Sequence, residues 1–278
     1  MVIINSTSLQ GKRPSNEDRE IIFKNLDNSN KNFHNINLYA VFDGHGGDSV
    51  SSYLEKEYTK YFVKKTAPHP KIKKDRYQKY ICDSYNHIQT KLKNEYKNLA
   101  NSTGTAALSL IHYKEGKKNK IYAINLGDCR AVLCNKFKLA VPLTKDHKPD
   151  NYEETIRIEK LGGVIVRSPG DDPRIEGLSL SRALGDLDTK PYVSHIPEIH
   201  RYELDVRDEF LIIGCDGLWD VFENQQAVNF ILNKLHNMNK SDIKDNMSNI
   251  NNIAYLLACE AIRRGSTDNV SVIIVLLK

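Results

Sequence analysis

The chain has 278 residues, 40% of them hydrophobic, with a net charge of +5. That is enough apolar sequence for one large core or two small ones, and too slight a charge excess to indicate nucleic acid or a membrane surface. The basic stretches, such as Lys64-Lys65 and Lys71-Lys73-Lys74, read as a solvated face. Cys82, Cys129, Cys134, Cys215 and Cys259 are odd in number and form no C-x-x-C pair. This favours reduced thiols over a disulfide framework, as in the cytosol or nucleus. The opening residues lack a signal architecture and a glycine at position 2, and no apolar run nears the ~18 residues of a membrane span. A soluble cytoplasmic or nuclear protein is expected.

In chain order, strands are expected over 2–8, 20–24, 36–42, 105–113, 120–126, 130–134 and 138–142. Two helical segments follow the third of these. Val50, Tyr53, Leu54, Tyr58, Tyr61 and Phe62 keep three-and-four spacing, as do Ile81, Tyr85, Ile88 and Leu92. The Pro-containing stretch at 67–71 separates them. A short helix fits 153–161, stopped by Gly162-Gly163. A strand at 209–214, helices near 224–235 and 253–264, and a nearly continuous apolar strand from Asn269 complete the pattern. The Asn-rich stretch near 233–252 reads as a polar insertion in a single unit spanning 1–278. Long strands with clustered helices imply an α+β sandwich of mostly antiparallel sheets.

Aspartates stand at the ends of several strands. Leu38–Phe42 runs into Asp43-Gly44-His45-Gly46-Gly47. Such a stretch suits a capped turn, a dinucleotide finger or a cation site. The finger fails, because its third glycine would fall at Ser49. Asp128 and Asp216 also end strands, and Asp268 precedes one. If the strands of Asp216 and Asp268 are antiparallel neighbours, both acids share one rim. Clustered carboxylates repel and lose hydration, and a divalent cation is the natural remedy. Oxygen ligands favour Mg²⁺ or Mn²⁺ over zinc. No cysteine has an arginine six positions later, since Cys215 leads to Val221 and Cys129 to Asn135. A cysteine-nucleophile phosphatase is therefore excluded. Strand alternation turns Cys215 away from Asp216, so the thiols read as packing groups.

The ordered stretches GKRPSNEDR (11–19), VFDGHGG (41–47), INLGDCRAVL (124–133), LTKDHKPD (143–150), LSRALGD (180–186), CDGLWDV (215–221) and STDNVSVIIV (266–275) resemble the type 2C protein phosphatases. These are metal-dependent serine/threonine phosphatases, and the resemblance covers nearly the whole chain. It implies an αββα sandwich with two Mg²⁺ or Mn²⁺ ions at one rim. By resemblance, Glu17, Asp43, Asp216, Asp268 and the Gly44 carbonyl are metal ligands. Asp18 supports them, and Asp128 serves a weaker third ion. Arg13 would hold the phosphate and His45 would protonate the leaving oxygen, while His147 and Arg182 organise local structure. The implied partners are phosphorylated proteins, with a monomer favoured. Two departures stand out. Ala106 replaces the family's usual threonine, and the loop 168–177 is unusual. They are the support for a rival reading as a pseudophosphatase that binds or regulates without catalysis. A hydrolase of small phosphoesters is a third reading.

Overall fold

The computed structural model describes residues 2–25, 36–63, 68–238 and 252–277. Its strands form two antiparallel sheets. One has the order β1 (Ile3–Leu9), β11 (Val270–Leu276), β10 (Phe210–Gly214), β6 (Arg130–Cys134) and β7 (Ala140–Pro142). The other runs β2 (Arg19–Phe23), β3 (Asn37–His45), β4 (Gly104–Glu115), β5 (Lys118–Leu126) and β9 (Glu198–Leu204), with the short β8 (Leu184–Gly185) paired to β4. Helices α1 (Ser49–Glu57), α2 (Lys60–Val63), α3 (Lys74–Glu95) and α4 (Lys97–Ala100) supply the layer over the second sheet. On the first sheet lie α6 (Asp216–Trp219), α7 (Asn224–Asn237) and α8 (Ile253–Arg263), and α5 (Tyr152–Lys160) packs at the edge of the inter-sheet layer. The architecture is the expected α+β, four-layer αββα sandwich.

Burial on both faces explains why the central strands are apolar runs and not alternating ones. Leu38, Ala40 and Phe42 point to the helices, whereas Tyr39 and Val41 face the opposite sheet. Likewise Val272 and Ile274 meet α8, and Ile273 and Val275 fill the space between the sheets. Phe42 packs edge-on against Tyr58 at 5.2 Å between ring centroids. The Tyr58 hydroxyl is satisfied by Ser109 at 2.7 Å and Tyr85 at 2.9 Å. Truncating such a ring to alanine costs about 3–5 kcal/mol.

Three expectations need correction. β3 does not stop at Phe42; it continues through His45, because Ala106, Thr105 and Gly104 of β4 pair with Asp43, Gly44 and His45. α7 runs on through Asn237, since Leu232 and Leu235 still pack on the apolar cluster, so the helix takes the first residues of the expected insertion. The rest of that insertion, 239–251, lies outside the described residues. β9 was not anticipated. It is a half-exposed strand whose sequence, EIHRYEL, mixes charge with apolar residues.

The sheet arithmetic places the acids. β10 and β11 are antiparallel neighbours with Gly214 opposite Val272. Asp216, just past β10, and Asp268, just before β11, therefore share one rim.

Candidate metal centre

Carboxylate oxygens of Asp43, Asp128 and Asp216 lie within 4.8 Å of one another. Asp43 also belongs to a second group of that size with Asp18 and the Cys215 thiol. The Asp43 carboxylate is therefore the shared member of both. The surrounding cavity, about 410 Å³, is also lined by Arg13, Glu17, Gly44, His45 and Asp268. Glu17, Asp43, Asp128, Asp216 and Asp268 all line this cavity; Asp18 does not, but its buried carboxylate lies within 4.8 Å of that of Asp43.

Local structure fixes each of them. Glu17 sits in the loop after β1, held where its backbone N–H donates to Asn269 Oδ1 at 2.9 Å. Its Oε2 accepts the Gly47 N–H at 3.0 Å. Asn269 staples the same loop by donating to the carbonyls of Gln10 (2.8 Å) and Ser15 (2.9 Å). Gly44 must be glycine because a Cβ there would stand 2.5 Å from the Glu17 carbonyl oxygen. The missing Ala106 hydroxyl has a neighbour that reaches the same strand: Thr105 Oγ1 donates to the Asp43 carbonyl at 2.9 Å.

Charge crowding is severe. Burial, then Asp216, Asp18, Asp128 and Asp268, hold the Asp43 carboxyl well above its usual range. Burial and the neighbouring acids Asp128 and Asp268 do the same to Asp216. Asp18 rises to about 6 through burial, against hydrogen bonds with Ser271 and Cys215 that pull it down. Asp128 also rises to about 6 through burial, with the Lys148 ammonium opposing the rise. Among the described residues, Asp18 Oδ2 and Asp128 Oδ1 are buried without a hydrogen-bond partner. Buried oxygens that repel one another and lack donors are what a hard divalent cation satisfies. The donor set fits Mg²⁺ or Mn²⁺.

The thiols differ in part from expectation. The Cys215 sulfur lies within 4.8 Å of carboxylate oxygens of Asp18 and Asp43, so it borders the acids and is not only a packing group. It accepts the Ser271 N–H at 3.1 Å and donates to the Asn269 carbonyl at 3.4 Å. Burial, then the nearby acids, pushes the Cys215 and Cys129 thiols up, which keeps both protonated and un-nucleophilic.

Arg13 closes the rim, with Nη2 2.5 Å from Asp268 Oδ2. His45 Nε2 lies 2.8 Å from the buried Asp186 Oδ2. His147 is a strut: Nδ1 accepts the Gly127 N–H at 3.1 Å and Nε2 is 3.2 Å from Glu198. Arg182 contacts the buried Glu154 through both Nε and Nη2. Reasoning from sequence missed Asp186, Asn269 and Arg174. Arg174, from the unusual loop, lines the cavity while its guanidinium pairs with Asp171 at 2.9 Å. Asp186 lay in plain view inside LSRALGD, but nothing in its spacing ties it to His45.

The sandwich with acids at one rim defines a class, and comparison with known proteins names it. The sequence profile described as Protein phosphatase 2C matches residues 4–270, so the chain belongs to that family of protein phosphatases. A PP2C-like domain-containing protein of Acanthamoeba polyphaga mimivirus is 46% identical over 174 residues, covering 58% of this chain and 96% of that protein. Probable protein phosphatase 2C 69 of Arabidopsis thaliana is 34% identical over 272 residues, 96% of this chain and 68% of its own length. Probable protein phosphatase 2C 55 of Oryza sativa subsp. japonica is 37% identical over 230 residues, and the match spans only 56% of it. A serine-threonine phosphatase 2C from Toxoplasma gondii has the same fold, with a TM-score of 0.79 at 21% identity over all of this chain and 94% of that one.

Proposed function

We propose that this chain hydrolyses phosphoserine and phosphothreonine in proteins, using two Mg²⁺ or Mn²⁺ ions held at the sandwich rim. The observation that carries the reading is the convergence of the Asp43, Asp128 and Asp216 carboxylates within 4.8 Å. Glu17, Asp43, Asp216, Asp268 and the Gly44 carbonyl would hold the two ions, Asp128 would contribute to a weaker third, and Asp18 would orient the shell from behind. Bound there, the ions supply a water acidic enough to serve as a nucleophile near neutral pH. The residues do the rest. Arg13 exchanges its single contact with Asp268 for a two-pronged grip on the phosphate oxygens. His45, beside the cavity, delivers a proton to the departing serine or threonine oxygen. None of the acids this chemistry needs is missing, so the pseudophosphatase reading rests on Ala106 and the loop 168–177 alone. Phosphorylated proteins are the partners. A cytosolic or nuclear location is part of the same proposal, favoured by five cysteines that form no disulfide.

The test is hydrolysis of a phosphoserine peptide with Mn²⁺, with Mg²⁺ and in chelator, by the wild type and Asp216→Asn. Turnover confined to the metal-loaded wild type is expected. Hydrolysis that survives chelation or the substitution would refute the reading.

A further inference from the structure

Resting on that reading, we infer that Asp186 is the positioning residue for His45, fixing the imidazole so that one defined ring nitrogen is left for the substrate. Asp186 is 2% exposed and its Oδ2 lies 2.8 Å from His45 Nε2. A carboxylate only accepts hydrogen bonds, so Nε2 carries hydrogen and Nδ1 is the nitrogen left over; the proton given to the leaving oxygen is the one Nδ1 holds in the doubly protonated ring.

The surroundings are built for this contact. His45 on β3 pairs with Gly104 on β4, and Gly104 pairs in turn with Gly185 on β8. The three residues stand side by side, and the carboxylate of Asp186 reaches across the middle one. Only glycine permits that, since a Cβ on Gly104 would sit 2.0 Å from Asp186 Oδ2. Asp186 itself adopts φ +45° and ψ +54°, a left-handed conformation that non-glycine residues seldom hold without reinforcement. The reinforcement is present. Gln89 of α3 clamps Gly185 with two bonds, donating to its carbonyl at 2.8 Å and accepting its N–H at 2.9 Å. The Asp186 N–H donates to the Thr103 carbonyl at 3.1 Å.

The ordinary alternative is a cap for the 3₁₀ turn Leu187–Thr189 that Asp186 precedes. Its side chain makes no capping bond there. The carboxylate is committed to His45 instead.

The experiment compares wild type, Asp186→Asn, His45→Ala and the double variant in Mn²⁺, on a phosphoserine peptide and on 4-nitrophenyl phosphate. Asparagine tolerates the left-handed conformation and keeps the shape. Asp186→Asn should lower kcat on the phosphopeptide on the order of tenfold to a hundredfold, with KM unchanged. The nitrophenyl ester, whose leaving group departs unaided, should lose far less. In the His45→Ala background Asp186→Asn should add nothing. Gly104→Ala, which pushes the carboxylate aside, should reproduce the pattern. Imidazole ¹⁵N spectra of the metal-free protein give a readout apart from turnover. The wild-type His45 ring should be locked with hydrogen on Nε2, and Asp186→Asn should release it. Equal losses on both esters, additive losses in the double variant, or an unchanged ring spectrum would each overturn the inference. A locked ring in a wild type inert toward every phosphoester would instead remove the phosphatase reading and leave the positioning intact.

Discussion

Replacing Asp18 with asparagine should make the metal-free protein more stable, not less. The folded carboxyl titrates at about 6, raised from 3.8 mainly by burial. Because the folded value is the higher one, ionising Asp18 opposes folding. That penalty is absent below the unfolded value and complete above about 6. The gap between the two values corresponds to about 3 kcal/mol at pH 7.5, shrinking to about 1 kcal/mol at pH 4.5. Asparagine keeps an acceptor oxygen for Ser271 and Cys215 and carries no charge. Urea denaturation in chelator at the two pH values should therefore show Asp18→Asn more stable by up to about 3 kcal/mol at pH 7.5, with most of the gain gone at pH 4.5. In calorimetry the same variant should bind Mn²⁺ more weakly. A variant less stable at pH 7.5, or a gain equal at both pH values, would refute the reasoning about crowded charge.

Other outcomes follow from the same geometry. Divalent cations should raise Tm more at pH 7.5 than at pH 5, because the raised carboxyls of Asp43, Asp216, Asp18 and Asp128 must ionise to bind; differential scanning calorimetry reads this. Glu154→Gln should cost about 3 kcal/mol of unfolding free energy at pH 7. Burial pushes that carboxyl up, but Arg182, Arg157 and Ser181 outweigh it and hold it at about 2, so its contribution is lost as pH falls from 4.5 toward 2. Gly44→Ala should destabilise by about 1–3 kcal/mol and weaken Mn²⁺ binding in calorimetry, since the added methyl meets the Glu17 carbonyl. Arg13→Lys should raise KM for a phosphopeptide on the order of tenfold in steady-state kinetics, because an ammonium cannot reproduce the two-pronged contact.

Much of this molecule could be read in advance because its central strands are buried on both faces. Val272–Leu276 and Leu38–Phe42 are unbroken runs of buried, largely apolar side chains that leave the pattern clear. Asp43, Asp128, Asp216 and Asp268 were legible for the complementary reason that each stands near the end of an apolar run, whereas Glu17 and Asp18, in a polar stretch, were reached only through the resemblance. β9 escaped because one face meets solvent, so His200, Arg201 and Glu203 break the signal. The end of β3 was misplaced because glycines advertise a turn, while the partner that extends the strand, Gly104–Ala106, lies some sixty residues further on. The contact of His45 with Asp186 spans 141 residues and depends on a left-handed aspartate behind a glycine, and no periodicity encodes that. The Cys215 thiol was only partly legible: its burial was expected of a packing group, but its contact with Asp18 and Asp43 was not.

The order of strands in the first sheet also bears on synthesis. Among the described strands β11, made after all the others, lies between β1, made before them, and β10. A nascent chain that stops short of Asp268 leaves β1 and β10 without the strand that pairs with both, and without that acid. Such an intermediate is a natural client for chaperones and a template for mispairing. The protein can therefore acquire neither its sealed core nor a complete set of acids until residue 276 is out of the exit tunnel.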